Sequence, residues 1–283
     1  MSEGVLYVVA TPMGNLEDVT YRAIRVLQEV DLIAAEDTRQ TRLLLDHYAI
    51  RTPMLSFHEH NETARLQSLL DKLAAGQALA LVSDAGTPLI SDPGFPLVRE
   101  AVTRGIKVVP IPGPCAAICA LSAAGLPTDR FVFAGFPPRQ AGQRLHWLEA
   151  LAQETATLIF YESSHRILSS LEAMVQVFGA GRQGVIAREL TKIHETFLSG
   201  EISELLVRVS QDPNQQRGEF VLLIQGCGQH ATDQITLNID ALLQVLEAEL
   251  PVKQAAGLAA SLTGYKKNDL YHRILEIRRG YGH

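Results

Sequence analysis

Three cysteines in 283 residues are too few for a disulfide framework, and their odd number suits a reducing compartment. Long hydrophobic runs are also missing. The longest apolar stretch, Cys115 to Leu126, falls well short of the roughly 20 residues that cross a bilayer. Positive charge is not in excess either: 25 Lys and Arg against 31 Asp and Glu give a net charge of −6. That balance argues against indiscriminate nucleic-acid binding but leaves room for a local basic patch. Met1-Ser2-Glu3-Gly4 runs straight into an apolar segment with no basic region, so no secretory signal is expected. The expectation is a cytoplasmic, soluble chain with no membrane partner.

Several chemical signatures are absent as well. No Walker A sequence occurs, which weakens a nucleotide-hydrolysis reading. His58-Glu59-His60 lacks the H-E-x-x-H spacing and reads as a polar loop entering a helix near Asn61, so no metal site is expected. Gly179-Ala180-Gly181-Arg182-Gln183-Gly184 matches G-x-G-x-x-G but follows a helical pattern and precedes a strand, the reverse of the dinucleotide-binding context; it reads as a turn. Asn61-Glu62-Thr63 is a glycosylation sequon by pattern only.

What is present is a globular composition, 47% hydrophobic and 20% charged. Apolar runs at Val5–Ala10, Leu32–Ala35, Leu79–Val82 and Val108–Ile111 alternate with helical spacing at Val19, Ala23, Ile24, Val26, Leu27 and Val30 and at Leu66, Leu69, Leu70 and Leu73. This βαβα order predicts an open parallel α/β sheet with a ligand crevice at the strand C-termini. Ala124-Gly125-Leu126-Pro127-Thr128-Asp129 breaks the pattern. Beyond it, strands are predicted at Phe131–Phe136, Leu158–Tyr161, Val185–Ala187, Ile193–Leu198 and Phe220–Ile224, with helices near 143–152, 164–178 and 201–209. The short gap after Ala187 implies a hairpin, hence a mixed sheet. The predicted domains are 1–124, 129–226 and a helical appendage, 227–283.

In that appendage the charge switches sign. Residues 229–250 carry Asp233, Asp240, Glu247 and Glu249 without Lys or Arg, whereas residues 251–283 carry Lys253, Lys266, Lys267, Arg273, Arg278 and Arg279 against two acidic residues. A helical appendage with one basic face and an ordinary solvated surface both fit.

Four predicted strands end in polar, Gly/Pro-rich loops: Thr11–Leu16, Glu36–Arg39, Ser83–Gly94 and Pro112–Ala117. Together they make a crevice where backbone amides approach a ligand closely. Thr11-Pro12-Met13-Gly14-Asn15, Ala35-Glu36-Asp37-Thr38-Arg39, the Ser83–Gly94 loop, Pro110-Ile111-Pro112-Gly113-Pro114, Phe160-Tyr161-Glu162-Ser163-Ser164-His165-Arg166 and Ala187-Arg188-Glu189-Leu190-Thr191-Lys192 resemble signature blocks of a known family. That family is the bacterial small-subunit (16S) ribosomal RNA 2′-O-ribose cytidine methyltransferases, within the class III, tetrapyrrole-methylase superfamily. The blocks run in order from about residue 5 to the end.

The resemblance implies a two-domain tetrapyrrole-methylase-like fold that binds S-adenosylmethionine between its α/β domains without a Rossmann fingerprint. The cofactor contacts it implies are Pro12 and Met13, then Gly86, Thr87 and Ile90, then Cys115 and Ala116, then Tyr161, Leu190, Gly218 and Glu219. Thr87 stands where the tetrapyrrole enzymes carry Asp. The acceptor it implies is a cytidine ribose in the decoding region of small-subunit ribosomal RNA, met in an assembled or late-assembly subunit, and the superfamily implies a homodimer. Methyl transfer is an in-line displacement, and a ribose hydroxyl needs a base or a cation that favours its alkoxide. Asp37, Arg188, Glu189 and Lys192 are the catalytic candidates; a structural Arg188–Glu189 ion pair is equally consistent with the sequence.

The tail resembles a small helix-turn-helix module with a glycine turn. Lys253, Lys266 and Lys267 are its candidate phosphate contacts, joined by Arg39 and Arg42 beside the cleft. Tyr265 and Tyr271 are available for stacking or for the core, Tyr271 more for the core. Cys115 and Cys119, four apart, read as small core residues. The rival readings are a tetrapyrrole (precorrin-type) C-methyltransferase and a non-catalytic RNA-binding or assembly protein.

Overall fold

The computed structural model describes residues 4–228 and 239–280, with side chains up to residue 277. Asp233 and the side chains of Arg278 and Arg279 lie outside the described residues. The chain divides into two compact units, Met1–Cys227 and Gly228–His283.

The larger unit holds two five-stranded sheets. The first is wholly parallel, in the order β3-β2-β4-β1-β5, from β1 (Val5–Val9), β2 (Leu32–Ala35), β3 (Met54–Ser56), β4 (Ala78–Val82) and β5 (Lys107–Ile111). Burial on both faces explains why its central strands read as continuous apolar runs. On one face Val9, Ile33, Ala80 and Val82 pack with residues of α1 (Tyr21–Glu29) and α2 (Thr38–His47); on the other Leu6, Ala34, Leu79 and Leu81 meet α3 (Glu62–Ala74) and α4 (Phe95–Thr103). Asp37 caps α2 by accepting the Arg39 amide, so the helix starts at the strand end.

The second sheet is mixed, in the order β6-β7-β10-β8-β9: β6 (Phe131–Gly135), β7 (Thr157–Ser163), β8 (Gln183–Arg188), β9 (Thr196–Glu201) and β10 (Glu219–Ile224). β6 and β7 are parallel, and the remaining pairs are antiparallel. Strand alternation sorts its core. Leu158, Phe160, Ile186 and Leu222 face α6 (Ala141–Glu149), α7 (Ile167–Phe178) and α8 (Ile202–Gln211), while Ile159, Val185, Val221 and Leu223 face α5 (Ala116–Ala123).

α5 fixes the position of the crevice. It follows β5 of the first sheet directly, yet Ala117, Ala120 and Leu121 pack against the second sheet. Its sequence, AAICALSA, is apolar around most of its circumference, as a helix enclosed on several sides requires. The strand ends of the second sheet are thereby held against the loops of the first.

Two sequence expectations are corrected, and one is met. β3 was not anticipated. The strand expected at Ile193–Leu198 is β9, three residues later, and Ile193 is 94% exposed. The segment Gly179–Gly184 is a helix-to-strand turn as expected, with Gly179 at φ +90 after α7.

The smaller unit consists of α9 (Ile239–Glu249), α10 (Val252–Thr263) and α11 (Lys267–Gly280), the numbering following α8. Leu243, Ala255, Ala256, Ala259, Leu270 and Ile274 form its core. Gly264, at φ +75, ends α10 in a left-handed turn that a β-carbon would disfavour. Arg273 donates to both Asp240 oxygens, at 2.6 and 3.0 Å, tying α11 to α9.

Candidate active site

Two adjoining clefts open where the sheets meet. The first, about 420 Å³, is walled by the loop after β1, the loop after β4, the start of α5 and the strand ends of the second sheet. Met13, Gly86, Thr87, Ile90, Cys115, Ala116, Tyr161, Leu190, Gly218 and Glu219 all line it. Pro12 instead borders the second cleft, about 460 Å³, together with Thr11, Gln40, Thr41, Asp84 and Lys192. Met13, Ala85 and Glu219 belong to both.

Backbone geometry shapes the first cleft. Thr11 and Gly86 exchange amide hydrogen bonds at 2.8 and 2.9 Å, which pin the β1 and β4 loops together, with Gly86 at φ +79. Thr87 donates its hydroxyl to the Pro114 carbonyl at 2.9 Å, so the residue found in place of Asp joins the β4 and β5 loops and brings no charge. Leu89 and Ser91 are left-handed without being glycine (φ +72 and +69), backbone strain of the kind that gathers at ligand sites. Tyr161 accepts the Ala117 amide at 3.1 Å, and burial raises its hydroxyl pKa well above the usual range, which keeps it protonated.

Two acidic residues of this cleft were not singled out from the sequence. Burial, reinforced by the Glu36 carboxylate, raises the Asp92 carboxyl to about 6 against a Ser83 hydrogen bond. Glu162 is buried, paired with Arg166 at 2.7 Å and hydrogen-bonded by Ser170. Asp92-Pro93-Gly94 signals a turn, but nothing local signals that the carboxylate is half-buried.

The catalytic candidates separate. Lys192 Nζ lies 3.0 Å from Glu189 Oε1 and 2.8 Å from Glu219 Oε2; Lys192 lines the second cleft, and Glu219 lines both. Burial acts to lower its pKa, but the bonds to Glu219 and Glu189 outweigh it and the net shift is upward, so the ammonium stays charged. Glu189 is shifted downward: the Glu219 amide and Lys192 outweigh its desolvation. Close packing sets this cluster. A β-carbon on Gly14 would lie 2.4 Å from Lys192 Cγ, and one on Gly218 2.4 Å from Glu189 Oε1. Glu189 and Thr191 occupy left-handed conformations (φ +50 and +65), which turn the chain back after β8 and bring Lys192 to Glu189.

The Arg188–Glu189 ion pair is not formed. Arg188 donates to the Arg217 and His194 carbonyls, at 2.7 and 3.0 Å, and is a buried brace. Asp37 is held at about 2 by its hydrogen bonds to Arg39 and lines neither cleft, a poor setting for a base. Arg39 is thus engaged with Asp37, while Arg42 is exposed. In the smaller unit Lys253, Lys266 and Lys267 are exposed; Tyr265 and Tyr271 are exposed too (56% and 37%), so Tyr271 is not a core residue. Among the described residues no group of three or more His, Cys, Asp or Glu could hold a metal, and no helix is long and apolar enough to cross a membrane.

Residues 5–206 match the family of Tetrapyrrole (Corrin/Porphyrin) Methylases, and residues 233–278 match the RsmI C-terminal HTH domain. Proteins named ribosomal RNA small subunit methyltransferase I are similar along their whole length. The one from Escherichia coli O157:H7 is 55% identical over 277 residues, covering 97% of this chain and 96% of that protein. The one from Pseudomonas aeruginosa is 53% identical over 278 residues, covering 98% of each. Among solved structures, uroporphyrin-III-C-methyltransferase from Thermus thermophilus superposes with a TM-score of 0.55 at 20% identity, covering 81% of this chain and 97% of that one. Diphthine synthase does so with a TM-score of 0.60 at 12% identity, covering 79% and 90%. The shared two-sheet fold and the full-length similarity give one conclusion: the chain belongs to the tetrapyrrole methylase family, among its ribosomal RNA small subunit methyltransferase I members.

Proposed function

We propose that the chain transfers a methyl group from S-adenosylmethionine to the ribose 2′-hydroxyl of a cytidine in the decoding region of small-subunit ribosomal RNA. The observation that carries this reading is the Lys192 ammonium, which lines the second cleft and is held by Glu189 and by Glu219, a residue common to both clefts. The first cleft suits the cofactor. Met13, Ile90, Leu190 and Phe136 offer apolar surface, Ala85, Gly86 and Ala116 allow close backbone approach, and Asp92 places a carboxylate on its wall, whereas Glu162 and Glu219 are paired with Arg166 and Lys192. A cationic sulfonium is favoured by the Asp92 carboxylate.

When bound, the cofactor supplies an electrophilic methyl group. The chain does the rest by positioning and electrostatics. Met13 and Ala85, common to both clefts, border the point where acceptor and donor meet. Lys192, charged and oriented by two carboxylates, stabilises negative charge developing on the ribose oxygen and so promotes loss of its proton to solvent water. Arg188 holds the loop that carries Glu189 and Lys192 through its bonds to the Arg217 and His194 carbonyls.

Residues 1–124 and 129–226 form the walls of the site in this reading, and 227–283 is an RNA-binding module with Lys253, Lys266 and Lys267 as phosphate contacts. The resemblance of the signature blocks supports an assembled or late-assembly subunit as substrate, a cytoplasmic location and a homodimer. The test is transfer of radiolabelled methyl to small subunits lacking the modification, with uroporphyrinogen as competing acceptor. Label in RNA alone is expected. Label in the macrocycle would favour the tetrapyrrole reading, and RNA binding without label a non-catalytic protein.

A further inference from the structure

The second cleft is bordered by a residue whose hydroxyl the fold leaves unused. Thr41, on α2, is 5% exposed and lines this cleft, yet its Oγ1 has no hydrogen-bond partner among the described residues. A threonine within a helix commonly donates its hydroxyl to the carbonyl four residues earlier. Here the Asp37 carbonyl accepts the Thr41 amide, at 3.0 Å, and the hydroxyl stays unpaired. Buried polar groups without partners are uncommon in folded proteins, and one bordering a cleft points to a ligand.

The surroundings define the ligand's chemistry. Gln40 contributes an amide with both donor and acceptor, and Asp84 a carboxylate whose Oδ1 is fixed by the Asp37 amide at 2.9 Å. Leu16, Leu43 and Leu44 add apolar surface, and Leu43 is 65% exposed. Arg39 and Arg42 are exposed on the same helix. Lys192 and Glu219 also line this cleft. Resting on the ribose-methylation reading, we infer that this cleft receives the target nucleoside turned out of its RNA stack, a pyrimidine whose Watson–Crick edge meets Thr41, Gln40 and Asp84.

An extruded base is read by hydrogen bonds to that edge and by apolar contact with its faces. A carboxylate accepts from the exocyclic amine of cytosine, which uracil lacks. With the base beside Thr41, the ribose is directed towards Met13, Ala85, Glu219 and Lys192, where its hydroxyl meets the first cleft. Arg42 is placed to contact a flanking phosphate.

Thr41→Val removes the hydroxyl at nearly constant volume, and Thr41→Ser keeps it. With unmodified small subunits as substrate, Thr41→Val should lower kcat/KM for RNA about tenfold, the effect of one hydrogen bond. Thr41→Ser should stay within about threefold of the parent, and calorimetric affinity for S-adenosylmethionine should be unchanged in both. Gln40→Ala, at an exposed position, should show a similar loss and serves should Thr41→Val fail to fold. Unaltered kcat/KM in Thr41→Val or Gln40→Ala, a serine variant as poor as valine, or an equal loss of cofactor affinity would overturn the nucleoside pocket. The parent protein separates the two levels: if it leaves no methyl on RNA, ribose methylation itself fails, and this inference with it.

Discussion

Replacing Lys192 with methionine removes the ammonium while retaining an unbranched chain to pack over Gly14. Two unit charges 4 Å apart interact by about 4 kcal/mol at an effective dielectric constant of 20. The contribution at Lys192 is smaller, because Glu189 and Glu219 offset part of its field and the side chain is 28% exposed. Loss of one oriented group facing a developing oxyanion typically costs about 100- to 1,000-fold in rate, or about 2.7–4 kcal/mol. The lower end, about 100-fold in kcat, is expected here. Single-turnover methyl transfer to unmodified small subunits measures it, and calorimetry should show cofactor affinity within about threefold of the parent. The pH profile gives a second reading. With its pKa raised, Lys192 remains charged through neutral pH, so its titration should not limit the rate there. A Lys192→Met rate within fivefold of the parent, or a cofactor affinity that falls in step with the rate, would refute the electrostatic role.

Gly86→Val places a β-branched residue at φ +79 beside Met13 and should abolish cofactor binding while leaving a cooperative thermal transition; normal affinity by calorimetry would reject this. Lys266→Glu with Lys267→Glu should weaken RNA affinity and flatten its dependence on salt while sparing cofactor binding; an unchanged salt slope would count against the tail as an RNA contact. Asp92 has a folded pKa of about 6, above its ordinary value of 3.8, so its ionisation disfavours the fold at high pH. The stability it contributes is full below 3.8 and lost as pH rises through about 6. Asp92→Asn should therefore raise Tm at pH 8, and the gain should shrink as pH falls below 6. Equal gains at pH 8 and pH 4.5 would contradict the assignment.

Which parts were legible in the sequence follows from how local their causes are. Strands buried on both faces show as apolar runs, so β2, at Leu32–Ala35, was read with its correct ends. β3 escaped because it is three residues long, follows Pro53 and lies at a sheet edge, where little burial pressure shapes the sequence. β9 was placed early because the left-handed turn through Glu189 and Thr191 carries Ile193 into solvent, and an apolar side chain does not announce that it is exposed. The loops lining the first cleft were legible through their Gly and Pro content and their resemblance to family blocks. Partners were not. That Arg188 braces carbonyls, that Lys192 pairs with Glu219 27 residues away, and that Asp92 is half-buried near Glu36 all depend on tertiary packing. Thr41 escaped notice for the same reason, since an unpaired hydroxyl exists only once the helix is docked.

The most direct test of ribose methylation is alkaline hydrolysis of ribosomal RNA labelled by this protein from radioactive S-adenosylmethionine. Alkali cleaves RNA through the free 2′-hydroxyl, so a methyl on that oxygen blocks cleavage at its own nucleotide. The account predicts label in an alkali-resistant dinucleotide whose 5′ residue is a cytidine. Label recovered in mononucleotides would place the methyl on a base and contradict it.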